Sequence, residues 1–146
     1  MACFIFTKNI LEKKPIDVFN RGRMKRDFTY IDDIVEGVYR VMLKKPEPDP
    51  LWDGNDPDPS VSFAPFKIYN IGNNKPVELL KFIKVLEDEL GVEAEKKFLP
   101  LQSADVIDTC ADITELERDT GFRPETDISE GIKKFVEWYK KYYSFL

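Results

Sequence analysis

The sequence predicts an α/β lobe in which short strands build a small mixed sheet flanked by helices. Short β-branched and aromatic runs with a period of two are interleaved with longer apolar patterns of helical period. The 146 residues, 42% of them hydrophobic, suffice for one core and not for two. Proline, glycine, asparagine and aspartate stand at the junctions between the two kinds of pattern.

Taken in order, Cys3, Phe6 and Ile10 recur at helical spacing within "ACFIFTKNILEK" and Pro15 stops the run, so residues 2–13 are a helix. "IDVF" at 16–19 is a short strand, with Asn20, Arg21 and Gly22 as the turn behind it. "RDFTYI" at 26–31 alternates, which sets Arg26, Phe28 and Tyr30 on one face of a second strand. Asp32 or Asp33 then caps a helix built on Ile34, Val35, Val38, Val41 and Met42. Residues 45–65, rich in proline and aspartate, form a long mobile loop inside the domain that Trp52 pins to the body. "FKIYNIG" at 66–72 alternates as a strand and turns through Gly72, Asn73 and Asn74 into a helix whose first turn holds Pro76 and Glu78. Gly91 ends that helix, and "AEKKFLPL" supplies a further strand. Asp112 caps the short helix "ITELERDTG", and Asp127 opens a last helix at 128–142 that turns Ile132, Phe135, Val136 and Tyr139 inward.

Composition removes several classes of function. A net charge of −5 gives a nucleic acid no general field to follow. No apolar run approaches the ~18–20 residues of a membrane-spanning helix, and the start of the chain turns polar too soon for a secretory signal. The expectation is a soluble, cytoplasmic protein. Cys3 and Cys110, the only cysteines, are expected to be buried small hydrophobes, and no metal site is expected. Without histidine, any acid-base chemistry falls to Tyr, Asp, Glu or Lys. No Gly-rich turn follows a predicted strand, so neither a dinucleotide fingerprint nor a phosphate loop is present.

Against that acidic background, "RGRMKR" gathers Arg21, Arg23, Lys25 and Arg26. An arginine leading a strand beside two aromatic rings suits a phosphate, which it holds through a bidentate fork. The alternative is an exposed basic turn with Arg26 paired to a carboxylate. In "LPLQSADVIDTCAD", Gln102 and Asp105 offer an amide and a carboxylate to sugar hydroxyls, or else serve turns and caps. The asparagines of "YNIGNN" are turn residues, and Asp32 and Asp33 suit the helix dipole better than acid-base work.

"IDVFNRGRMKRDFTYIDDIVEGV", then "YNIGNN" and "PVEL", then "LPLQ" with "DV" and "AD", and finally "EGIKKFVEWY" resemble, in order, the C-terminal part of a known superfamily. It is that of the NAD-dependent nucleotide-sugar epimerases and dehydratases, the extended short-chain dehydrogenases. "MKRDFTYIDDIVEG" is most similar to the UDP-glucuronate 4-epimerases. The resemblance covers nearly the whole chain and implies that residues 1–146 are a single C-terminal substrate lobe lacking the N-terminal Rossmann half that binds NAD. In the family, NAD transiently oxidises the sugar at C4, and the tyrosine of a Tyr-x-x-x-Lys motif is the base. Neither that motif nor the Gly-rich turn occurs in these residues, so the implied catalytic and cofactor-binding sets are empty.

The ligand that the resemblance implies is the UDP moiety of a UDP-sugar. Arg26 is then matched to the diphosphate, Val18 and Phe19 to the uracil, and Gln102 to Asp105 to diphosphate and ribose, with Asp105 the ribose partner. The sequence departs from the family where Ser103-Ala104 replaces an expected Pro-Gly and Ile107-Asp108 an expected Pro-Ala-like pair. Met1 stands inside a helix that continues upstream in relatives, so truncation is expected. Two functions follow. The first is a truncated UDP-glucuronate 4-epimerase-like protein of capsule and polysaccharide precursor synthesis, inactive alone. The second is a non-catalytic interaction or regulatory module that docks on a separate Rossmann-type protein. Either expects apolar surface around Phe4, Ile5 and Phe6, covered by the missing half or by self-association.

Overall fold

Helix α1, Ala2–Leu11, carries Phe6, Thr7 and Ile10 on its buried side, as the spacing requires. The computed structural model describes residues 2–144; Met1, and the expectation attached to it, lie outside them. The chain divides into two compact units, Met1–Phe28 with Lys75–Thr109 and Thr126–Leu146, and Thr29–Asn74 with Cys110–Glu125.

In the first unit, α1 is followed by β1 (Ile16–Val18), a tight reversal (Phe19–Gly22) and β2 (Lys25–Arg26). Later come β3 (Val77–Glu78), α3 (Leu79–Leu90) and β4 (Lys96–Phe98), and the unit closes with the last helix, Ile128–Tyr142. The small mixed sheet is realised as two two-stranded pairings. β1 runs parallel to β4 with Val18 opposite Phe98, and β2 runs antiparallel to β3 with Arg26 opposite Val77. Ile10, Ile16, Val18, Phe82, Ile83, Leu86, Ile132 and Val136 form the core between α1, β1, α3 and the last helix. Gly91 ends α3 with φ 70°. Glu87, buried near that end, accepts from Lys96 Nζ and from the Ala94 N–H, so the one buried carboxylate of α3 is paired. Asp127 caps the last helix by accepting the Ser129 N–H at 2.9 Å.

The apolar start of α1 is less open than the sequence suggests. Phe6 is buried and Phe4 packs edge-on against Tyr139 at 5.2 Å, which leaves Ile5 as the exposed member of the three. Two further expectations fail in this unit. The strand at 26–31 ends after Arg26, because Phe28 leaves the alternation to stack on Phe82 in the core. The helix after Asn74 starts at Leu79 rather than at Pro76, since Val77 and Glu78 are taken by pairing with β2. Cys3 is half-buried as expected of a small hydrophobe.

In the second unit, α2 spans Ile31–Met42 and α4 spans Thr114–Thr120; the last helix of the chain is α5. Tyr30, not Asp32 or Asp33, takes the N-cap position of α2, its side chain making no capping bond to the helix, and the two acids sit in its first turn where they complement the dipole. Asp112 accepts the Thr114 N–H at 3.0 Å at the head of α4, and Gly121 closes it with φ 64°. The stretch 66–72 keeps the predicted alternation without joining a sheet. Lys67, Tyr69 and Ile71 are half-buried while Phe66, Ile68 and Asn70 are exposed, and its one bridge is between Lys67 and Val61. Lys67 Nζ is bonded to both Glu115 (2.6 Å) and Asp119 (2.5 Å), and the Tyr69 hydroxyl donates to Asp119 at 2.9 Å, which fastens the stretch to α4. The loop at 45–65 is folded on itself: Trp52 donates to the Asp58 carbonyl at 3.1 Å and packs on Phe63, so it pins the loop to the loop. Cys110 is exposed, contrary to expectation.

Candidate substrate-binding site

All five sequence-predicted binding residues belong to the first unit. Val18 ends β1 fully buried, and its carbonyl accepts the Leu99 N–H at 2.9 Å, so its side chain and its C=O both serve the fold. Phe19, half-buried, is the member of the pair that retains surface. Three successive residues then take left-handed backbone: Asn20 (φ 49°), Arg21 (φ 52°) and Gly22 (φ 77°). Such a run is costly for residues with a Cβ, about 1–3 kcal/mol each, and persists only where its surroundings hold it. Here the Asn20 side-chain amide donates to the Arg23 carbonyl at 2.7 Å, and the Arg21 N–H donates to the Leu99 carbonyl at 3.0 Å. Glycine is required at the third position, because a Cβ on Gly22 would lie 2.6 Å from Leu80 Cδ2.

The reversal delivers β2 between β3 and the irregular segment 107–109. One edge pairs with β3. Along the other, Lys25 N–H donates to the Ile107 carbonyl at 3.0 Å and Thr109 N–H donates to the Lys25 carbonyl at 3.3 Å. Side chains extend this edge: Asp108 Oδ1 accepts from Lys25 N–H and Thr109 Oγ1 accepts from Asp27 N–H, each at 3.1 Å. Arg26 Nη1 donates to the Lys25 carbonyl (2.9 Å) and the Ile107 carbonyl (2.8 Å). Among the described residues Arg26 forms no ion pair, so the alternative of a carboxylate-paired arginine does not hold. Its Nε and Nη2 donate to no group among the described residues. Arg21, Arg23 and Lys25 are exposed around it, which makes this a local positive patch on an acidic chain.

Gln102 and Asp105 stand at the two ends of a turn, Asp105 N–H donating to the Gln102 carbonyl at 3.1 Å. Neither Ser103 nor Ala104 has a positive φ. The turn therefore closes without the left-handed residue that a Pro-Gly turn of type II demands. Gln102 is exposed and Asp105 half-buried. The segment from Leu99 to Thr109 is moored at both ends, to β1 and its turn through Leu99 and to β2 through Ile107, Asp108 and Thr109. Between the moorings, residues 101–106 make a largely exposed bow. Sequence reading passed over Asp108 and Thr109, because an Asp and a Thr in an irregular polar run carry no signal of which strand they will face. Of the asparagines of "YNIGNN", Asn74 takes the left-handed backbone of a turn residue (φ 56°), whereas Asn70 makes a long-range contact instead, donating to the Asp112 carbonyl at 3.2 Å.

The family model described as GDP-mannose 4,6 dehydratase matches residues 4–135. Protein CapI of Staphylococcus aureus is 52% identical over 143 residues, which is 98% of this chain and 43% of that protein. A probable UDP-glucuronate 4-epimerase of Rhizobium meliloti is 41% identical over 144 residues, 98% of this chain and 42% of that protein. Among solved structures, the UDP-glucuronic acid 4-epimerase of Bacillus cereus in complex with UDP-glucuronic acid and NAD superposes with a TM-score of 0.79 at 28% identity, over 98% of this chain and 40% of that one. The chain thus spans less than half the length of the relatives it matches. It belongs to the GDP-mannose 4,6-dehydratase family, within the NAD-dependent nucleotide-sugar epimerases and dehydratases of the extended short-chain dehydrogenase superfamily.

Proposed function

We propose that this chain is the UDP-sugar-binding part of a UDP-glucuronate 4-epimerase-like protein, with Arg26 as the diphosphate ligand. The observation that carries the reading is half-buried Arg26, fixed through Nη1 and with no carboxylate partner among the described residues, beside a moored bow that bears Gln102 and Asp105. An arginine so held loses little further freedom when it takes a phosphate, and its open N–H groups make charge-assisted bonds. Phe19 supplies the apolar surface for the base. Relatives named as UDP-glucuronate 4-epimerases, and the structure that holds UDP-glucuronic acid with NAD, support the choice of ligand.

In this reading the hydride chemistry belongs to a companion NAD-binding α/β half. The second unit offers support. Val35, Val38, Tyr39 and Met42 form an exposed apolar stripe along α2, and the N–H groups of Tyr69, Asn70 and Ile71 make no hydrogen bond among the described residues. An open strand and an uncovered helix face are what an adjoining α/β layer completes. Calorimetric titration of the chain with UDP, UDP-glucuronate and NAD tests the proposal. Binding of the first two, with none of NAD, is expected. Epimer formation by the 146-residue chain with added NAD, or equal indifference to all three, overturns it.

A further inference from the structure

We infer that Thr109, seconded by Asp108, is a positioning residue that sets Arg26 for its ligand. The inference rests on the UDP-binding reading for its purpose, though not for its geometry. β2 has two residues, and the backbone ladder on its outer edge has one bridge, Lys25 with Asp108. Beyond that bridge the Thr109 hydroxyl accepts the Asp27 N–H at 3.1 Å. On the near side, Asp108 Oδ1 shares the Lys25 N–H with the Ile107 carbonyl. Arg26 lies between these two side-chain pins, and its Nη1 is bonded to that same Ile107 carbonyl at 2.8 Å. The side chain of Thr109 thus fixes the distance between the arginine's backbone and the carbonyl that orients its guanidinium. It also ties the bow bearing Gln102 and Asp105 to the strand bearing Arg26, so both present to a ligand as one piece.

The test uses Thr109→Val, which keeps shape and removes the acceptor, and Thr109→Ser, which restores it. In the free chain, NMR of the Arg26 guanidinium and the exchange rate of the Asp27 amide report the geometry. Thr109→Val should average the Nη signals of Arg26 and speed Asp27 exchange by about five- to tenfold, the loss expected for one hydrogen bond, and Thr109→Ser should restore both. With UDP as probe, Thr109→Val should weaken binding about fivefold, and should have no further effect in an Arg26→Ala background, since the residue acts through the arginine. Unchanged Arg26 signals in Thr109→Val overturn the inference, as does an undiminished Thr109→Val effect on UDP affinity without Arg26. If the native chain fails to bind UDP, the functional proposal falls, and the guanidinium signals alone decide the positioning role.

Discussion

Phe28 lies flat on Phe82, ring centroids 4.5 Å apart and planes 9° from parallel. The aromatic neighbour that sequence alternation sets beside Arg26 is therefore committed to the core. Phe28→Ala should lower unfolding free energy by about 2–3 kcal/mol, less than for a fully buried ring because Phe28 is half-buried. UDP affinity of the folded fraction should change by less than about twofold. Urea denaturation and calorimetry check the pair, and a loss of affinity without loss of stability would return Phe28 to the binding surface.

Arg26 and Arg23 are separated by three positions and differ in surroundings, the first half-buried and bonded to Ile107, the second exposed. A charge-assisted bond to phosphate contributes about 1.5–3 kcal/mol, so Arg26→Ala should weaken UDP binding by roughly 10- to 150-fold. Arg23→Ala should cost less than about 1 kcal/mol. Titration of both variants side by side makes the comparison; equal small losses would reduce the cluster to a solvated turn.

Gly22 combines φ 77° with a Cβ position 2.6 Å from Leu80 Cδ2. Gly22→Ala should destabilise by about 2–4 kcal/mol, from the left-handed backbone together with overpacking. Adding Leu80→Ala should recover the steric part and leave the backbone part. Thermal melts of the single and double variants read this directly.

The Lys67 cluster gives the second unit an acid limit. Arg118 and then Lys67 hold the Asp119 carboxyl well below the usual carboxylate range, and Lys67 and then Arg118 lower Glu115. Burial opposes the charge on Lys67, but bonds to Asp119 and Glu115 outweigh it and raise its pKa. Because the folded-state carboxyls titrate below their unfolded value of about 4, their stabilisation is complete above that pH and is lost as pH falls through the depressed values. The protection factor of the Ile68 amide, which donates to the Ser60 carbonyl at 2.8 Å, should fall on acidification below pH ~4, and Asp119→Asn should flatten that limb. An acid response unaltered in Asp119→Asn would remove the cluster from the account.

Helices were the legible part of the fold. Cys3, Phe6 and Ile10 announce α1, and Asp127 announces α5, because caps and periods of 3.6 are local properties. The strands were less legible. "RDFTYI" and "FKIYNIG" share the period-two pattern, yet the first stops at Arg26 when Phe28 finds Phe82, and the second meets a single bridge, Lys67 with Val61, and no strand. Strand identity depends on a partner that sequence does not display. At the site, Arg26 stood out through charge in an acidic chain. Thr109 and Asp108 did not, since their role lies in a pairing across more than eighty positions of sequence.

The open stretch at 66–72 also governs how the isolated chain behaves in the test tube. Phe66 and Ile68 are exposed on it, and its backbone donors from Tyr69 to Ile71 are unengaged among the described residues. Two such edges satisfy each other by strand addition, the first step of β-aggregation. A lysine in place of Ile68 is the gatekeeper change that this exposed edge calls for.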